Sequence, residues 1–123
     1  MGCITFPENN SNITVTYMVK NISNYSEWVV IQYIGVLGEI TEELYMESGE
    51  IWTETVNFIL PEYGNEYLHI VAHSWNRTFE TTITINEINQ SINALSRIKP
   101  SGSEYLSMAQ MYINRETVGR YRN

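Results

Sequence analysis

Apolar and polar residues alternate with a period of two over most of residues 13–85, in short runs separated by Gly, Pro, Asn and Ser. This period is that of a β-strand with one buried face. It predicts six strands, at residues 13–20, 27–34, 39–46, 51–60, 66–74 and 78–85, and residues 3–6 can supply a seventh. The second strand is apolar on both faces, as in a central strand, whereas the third carries a row of Glu typical of an exposed edge.

Seven short strands separated by turns predict an all-β fold, a seven-stranded antiparallel immunoglobulin-like sandwich. Trp28 and Trp52 fall within strands, and we expect both indoles in the core. Tyr67 lies at the start of the predicted strand 66–74, a place where a Tyr hydroxyl often ties a corner of such a sandwich to the backbone. Trp75 lies in the following turn, and we expect it to be exposed. With Tyr63 it is a candidate for a ligand site or an interface.

The period changes after residue 86, where the apolar spacing is helical. The first stripe consists of Ile88, Ile92, Leu95 and Ile98. A second helix is predicted by the capping box Ser101 and Glu104, the apolar positions Leu106, Ala109 and Ile113, and the terminating Gly119. The sequence thus predicts a sandwich over residues 1–86 and a short C-terminal helical tail over residues 87–123. The tail would pack on the sandwich or on a partner subunit.

Charge is divided unevenly along the chain. Residues 1–86 carry 11 Glu against Lys20 and Arg77, a net charge of −9, whereas residues 87–123 carry 3 Glu against 5 Lys and Arg, a net of +2; the total is −7. An acidic domain repels phosphate backbones, so we expect no nucleic-acid partner. The basic tail can pair with the acidic part of its own chain or of a neighbour, or it can be solvated.

No set of residues predicts catalysis or a metal site. His69 and His73 lie four positions apart on one strand, roughly 13 Å, which is too far for one metal ion. The chain has no Asp, which calcium loops commonly use. Glu39, Glu42 and Glu43 could suggest the carboxylate pair of a glycosidase, but nothing else supports this interpretation. We therefore expect a protein that is not an enzyme and has no cofactor.

The sequence Asn-x-Ser/Thr occurs six times, at Asn9, Asn12, Asn21, Asn24, Asn76 and Asn89. Composition alone would give about two such sequences, and each is an acceptor for N-glycosylation in a secreted protein. The excess indicates an outward-facing, glycosylated chain. The alternative is that Asn, Ser and Thr all concentrate in the turns and strands of an all-β protein.

Cys3 is the only cysteine, so no internal disulfide can form. The pair Gly2-Cys3 resembles the end of a prokaryotic lipoprotein cleavage site, which would make Cys3 a lipid anchor. It also resembles a eukaryotic acylation start, although Phe6 stands where Ser or Thr is needed. The third alternative is an inert thiol. No signal-peptide pattern and no run near 18 apolar residues occurs, so membrane contact would come only through an anchor outside the folded domain.

Four segments resemble the CARDB-type domain, an immunoglobulin-like sandwich of bacterial and archaeal surface proteins. They are residues 15–21, Ser48-Gly49-Glu50, residues 58–64 and residues 67–73. Residues 49–58, which include Trp52, also resemble the extracytoplasmic domain of an archaeal membrane-protein family of unknown function. The resemblance covers about residues 13–86. It implies a surface-exposed, non-enzymatic domain with no active-site residue.

We therefore expect an extracytoplasmic domain of a prokaryotic, archaeal envelope protein that acts in adhesion or assembly. Its protein partners, or further copies of itself, would bind to a sheet edge or to residues 87–123. If Met1 is the native start, a virion or filament subunit is the alternative, and the location is then the virion. A carbohydrate-binding accessory module that uses Trp75 is a third hypothesis.

Overall fold

The computed structural model describes residues 11–75, 78–99, 102 and 104–122. These residues form nine β-strands, one short 3-10 helix and one α-helix. The strands are β1 (Asn12–Asn21), β2 (Glu27–Gly35), β3 (Gly38–Met46), β4 (Ile51–Ile59), β5 (Glu66–Ser74), β6 (Phe79–Ile85), β7 (Gln90–Leu95), β8 (Arg97–Ile98) and β9 (Tyr105–Ile113); the 3-10 helix is Asn86–Ile88 and the α-helix is α1 (Arg115–Arg122).

The strands form two antiparallel sheets that pack face to face. One sheet has the order β4-β1-β6-β7 and the other the order β3-β2-β5-β9-β8. The predicted all-β sandwich is confirmed, with nine described strands rather than seven. The order β3-β2-β5-β9 matches the C′-C-F-G order of an immunoglobulin-type sheet. Between β5 and β9, however, the chain crosses to the opposite sheet and forms β6 and β7.

The period-two alternation of residues 13–85 determines which side chains form the core. Along β1 every second residue is fully buried, and the intervening residues face outward. The same holds for β2 and β6. The largest fully buried side chains include Tyr17, Phe79, Ile31 and Leu68. The hydroxyl of Tyr17 donates to the carbonyl of Ile34 across the sandwich at 2.8 Å, so the polar atom of this ring is satisfied inside the core.

The prediction of helices within residues 88–113 is wrong, because this segment forms β7, β8 and β9. The chain reverses at Asn89, which adopts a left-handed conformation with φ of 53°. β7 then pairs with β6, and β9 pairs with β5 over nine residue positions. These pairings give hydrogen-bond partners to backbone N–H and C=O groups along β5 and β6. This stabilisation comes from other segments of the chain, so the apolar spacing of residues 88–113 alone does not predict it. Residues 87–113 therefore belong to the sandwich and not to a separate tail.

One short C-terminal helix is present, as predicted, but it starts later and includes Gly119 rather than ending there. Asn114 caps it, since its Oδ1 accepts from the backbone N–H of Thr117 at 2.8 Å. Val118 is fully buried against the end of the core. Arg115 donates to the carbonyl of Leu60 at 3.1 Å. These contacts fix α1 on its own sandwich.

Candidate functional site

The outer face of the five-stranded sheet carries aromatic side chains. We call it the aromatic face, and its rings are Trp28, Tyr45, Tyr67, Trp75 and Tyr112. Four of them are largely exposed: Trp28 by 56%, Tyr45 by 53%, Trp75 by 62% and Tyr112 by 68%. The outer face of the four-stranded sheet, the threonine face, instead carries Thr14, Thr16, Thr53, Thr55, Thr82 and Thr84. The two solvent faces of the sandwich therefore differ in chemistry, and exposed aromatic surface is typical of interaction sites.

Strand register sets the positions of these side chains. Trp28 on β2 lies opposite Tyr45 on β3, and their ring centroids are 5.5 Å apart. Two residues further along β2, Val30 lies between Glu43 on β3 and His73 on β5. His73 and the following Trp75 are spaced by two positions, so both side chains face outward. Neighbouring strands thus bring two indoles, a carboxylate and an imidazole to one end of the aromatic face.

A depression of about 260 Å³ opens between the two indoles. We call it the aromatic cleft and define it by Trp28, Val30, Glu43, His73, Trp75 and Glu104, all of which line it. Trp28 lies on β2 and Trp75 just after β5, and Val30 and His73 form a cross-strand pair between the same two strands. The carboxylates belong to Glu43 on β3 and to Glu104, the residue before β9. An apolar depression with a few polar groups at its margin is the usual form of a small-ligand site.

Charged groups surround this cleft. The ammonium Nζ of Lys99 lies 3.1 Å from Oε1 of Glu104, and Nδ1 of His73 lies 4.0 Å from the same oxygen. Glu43 is exposed and forms no salt bridge within the described part of the chain. Of the two carboxylates at the margin, Glu104 is paired with Lys99, which leaves the charge of Glu43 without a salt-bridge partner among the described residues. The cleft is therefore apolar on its walls and negative at its margin.

At the other end of the aromatic face, Tyr67 and Tyr112 pack with centroids 5.0 Å apart. The hydroxyl of Tyr67 donates to Oε1 of Gln110 at 2.8 Å. The prediction that Tyr67 ties a corner to the backbone is therefore wrong. Burial raises the pKa of Tyr67, with a smaller contribution from Tyr112. In the same region Nε2 of His69 lies 2.8 Å from Oε2 of Glu39.

The structure separates the two predicted ligand residues. Trp75 lines the aromatic cleft, whereas Tyr63, which is 84% exposed, lies at the opposite end of the sandwich in the connection between β4 and β5. Trp28 was assigned to the core by the sequence and is exposed instead. The sequence does contain one indication of this exposure, because the polar Gln32 lies on the same face of β2 as Trp28. Trp52 does pack against the core: it is half-buried, and its ring centroid lies 5.3 Å from that of Tyr33.

The predicted glycosylation sites fall into three groups. Asn12, Asn24 and Asn89 are exposed. Asn21 is fully buried, and its Nδ2 donates to the carbonyls of Tyr25 and Met46 at 2.8 and 3.1 Å. A glycan on this nitrogen is incompatible with the structure, so Asn21 is removed from the candidates. Asn9 and Asn76, together with the proposed lipid anchor Cys3, lie outside the described residues.

Ligand clusters for a metal ion and helices long enough to cross a bilayer are both absent from the described residues. No group of three or more His, Cys, Asp or Glu side chains there is placed to hold a metal ion. None of the described helices has the length and apolar character that crossing a bilayer requires. No protein-family model matches the chain, and no curated protein matches it.

Proposed function

We propose that this chain is a non-enzymatic, extracytoplasmic domain of an archaeal surface protein, and that it acts in adhesion by binding its target through the aromatic face. The observation that carries the proposal is the concentration of exposed rings on one of two outer faces. Aromatic side chains supply much of the energy of protein interfaces, because they combine a large apolar area with few rotatable bonds. The sequence resemblance of residues 15–85 to surface domains supports the location.

The polar groups of the cleft support binding rather than catalysis. The carboxylate of Glu104 is held by Lys99 and lies near His73. Glu104 and Lys99 are paired with each other, so neither is an unpaired acid or base in the cleft. An ion pair at a half-exposed margin instead fixes the shape and charge of a surface that a ligand can contact.

Adhesion is testable with fluorescent beads coated with the protein and incubated with intact cells of the source organism. We expect the beads to bind, and binding to fall at least about tenfold for Trp28→Ala or Trp75→Ala, as for hot-spot residues. The matched control is Thr82→Ala on the threonine face, which should bind like the parent protein. Equal binding of all variants would refute a role for the aromatic face. An antibody that fails to label intact cells but labels lysed cells would refute the location.

Self-assembly through the same face is the second candidate function, and one row of residues favours it. Across the five strands, the row Glu43, Val30, His73, Leu106 and Arg97 has an acid at one edge and a base at the other. A two-fold axis parallel to the strands would stack two copies face to face and place Glu43 of each over Arg97 of the other. Four strands of nine residues offer about 600 Å² per copy, near the lower limit of a stable interface.

Sedimentation velocity with a charge exchange tests this assembly. We expect a dimer that dissociates in Glu43→Arg and in Arg97→Glu, and that forms again when both substitutions are combined. A parent protein that remains monomeric at millimolar concentration would refute assembly and leave adhesion untouched. Deletion of residues 87–123 is not a usable test, because it removes three strands of the sandwich.

A further inference from the structure

The geometry points to an alkylated ammonium group as the ligand of the aromatic cleft. Such a group is carried by choline-like small molecules and by methylated lysine side chains. The inference rests on the proposed function, since it names the ligand chemistry at one end of the aromatic face. It depends on three observations together: two exposed indoles on one depression, an aliphatic and imidazole floor, and carboxylates on two sides.

The indoles provide the first part of the recognition. The face of an aromatic ring carries partial negative charge, and Trp attracts a cation most strongly among the aromatic residues. Trp28 and Trp75 are exposed by 56% and 62%, so their ring surface is accessible from the cleft. Tyr45 is not among the residues that line the cleft, but it packs against Trp28 with ring centroids 5.5 Å apart and so supports that indole. A methylated ammonium group is weakly hydrated, so moving it from water to contact with aromatic rings costs little desolvation free energy.

The size of the cleft suits such a group. A tetramethylammonium ion has five heavy atoms and would fill about 150 Å³ if each takes the liquid volume of one water. The depression of about 260 Å³ accommodates it and leaves room for the chain to which it is attached.

Charge completes the recognition and separates this ligand from others. Glu43 reaches the cleft from β3 and Glu104 from the residue before β9, and Lys99 neutralises only one of them. The chain as a whole carries −7, which attracts cations over a longer range. A carboxylate or phosphate ligand would be repelled. A neutral sugar could stack on the indoles, but its binding would not weaken as sodium chloride is raised.

The test uses ¹⁵N-labelled full-length protein and the three Trp indole N–H signals in NMR spectra. On addition of tetramethylammonium chloride we expect the signals of Trp28 and Trp75 to shift and that of Trp52 to stay in place. The dissociation constant should be on the order of 1–10 mM for so small a ligand, and binding should weaken as sodium chloride is raised. Choline and a trimethyllysine peptide, titrated separately, distinguish the two sources of the group by which binds more tightly.

Variants and a neutral probe make the result decisive. We expect Glu43→Gln to weaken tetramethylammonium binding about three- to tenfold and Trp28→Ala to abolish it. Glu62→Gln, an exposed acid at the opposite end of the sandwich, should bind like the parent. Equal binding of the neutral tert-butyl analogue of choline would overturn the inference, as would indole shifts with oligosaccharides but none with tetramethylammonium.

The two proposals fail separately. Bead adhesion that depends on Trp28, without ammonium binding, would leave the proposed function standing and refute only the ligand. Ammonium binding without bead adhesion would support the cleft and refute adhesion through the aromatic face.

Discussion

Asn21 connects three parts of one end of the sandwich, and its replacement gives the sharpest stability prediction. Its Nδ2 donates to the carbonyls of Tyr25 and Met46, while its Oδ1 accepts from the backbone N–H and the hydroxyl of Ser23 at 3.0 and 2.7 Å. Asn21→Ala removes all four bonds. The bond to Met46 is buried, so its carbonyl would lose this donor without replacement by water.

The loss should be roughly 2–4 kcal/mol in the free energy of unfolding, because an unsatisfied buried group costs about 1–3 kcal/mol and the part-buried bonds less. The matched control is Asn24→Ala, an exposed position in the same loop, which should change stability by less than about 0.5 kcal/mol. Both variants remove one Asn-x-Ser/Thr sequence, so a host without N-glycosylation is used.

Urea unfolding of the two variants measures the difference. With a typical slope, the midpoint of Asn21→Ala should fall by about 1–2 M relative to the parent, whereas Asn24→Ala should coincide with it. If the two variants unfold at the same urea concentration, the network around Asn21 does not stabilise the fold and the reasoning is refuted.

Three further outcomes are expected. Deletion of residues 87–123 should leave an unfolded chain by circular dichroism, and a cooperatively folded product would contradict the described sheets. Burial, and next the hydrogen bond to the Glu42 carboxylate, raises the pKa of Tyr33 to about 12. Tyr in the unfolded chain deprotonates near pH 10, so the stability that neutral Tyr33 contributes to the fold is lost as pH rises from about 10 to 12. Tyr33→Phe should reduce this alkaline loss when unfolding is measured across that range. Ser107→Ala should destabilise more than Thr81→Val, because Ser107 donates to the Ala94 carbonyl and accepts from Thr81; the reverse order in thermal unfolding would contradict this network.

Period-two alternation was sufficient for β1 to β6, because each of these strands turns one face to a single core, fully along β1, β2 and β6 and only in part along the edge strands β3 and β4. It failed after residue 86 for a physical reason. Ser107, Ala109 and Ile113 are buried on the inner face of β9, yet Ala109 and Ile113 with Leu106 also fit a helical stripe. The small side chains of Ser107 and Ala109 give only a weak period-two pattern, and pairing with β5 makes this segment a strand rather than a helix.

The candidate site was predictable only in part. The sequence places Trp75 in the turn after the predicted strand 66–74, so its exposure could be inferred from the sequence. The cleft itself requires Trp28 from β2, Glu43 from β3 and Glu104 from the approach to β9, and these meet only through strand order and register. Sequence patterns within single segments do not contain that information.

Both proposals require that Trp28 and Trp75 face solvent on one sheet while Trp52 packs against the core. Broadening of the indole N–H signals by a soluble paramagnetic agent tests it directly. We expect strong broadening for Trp28 and Trp75 and clearly weaker broadening for Trp52. Protection of Trp28 to the level of Trp52 would place it inside the sandwich and contradict the aromatic face on which both proposals depend.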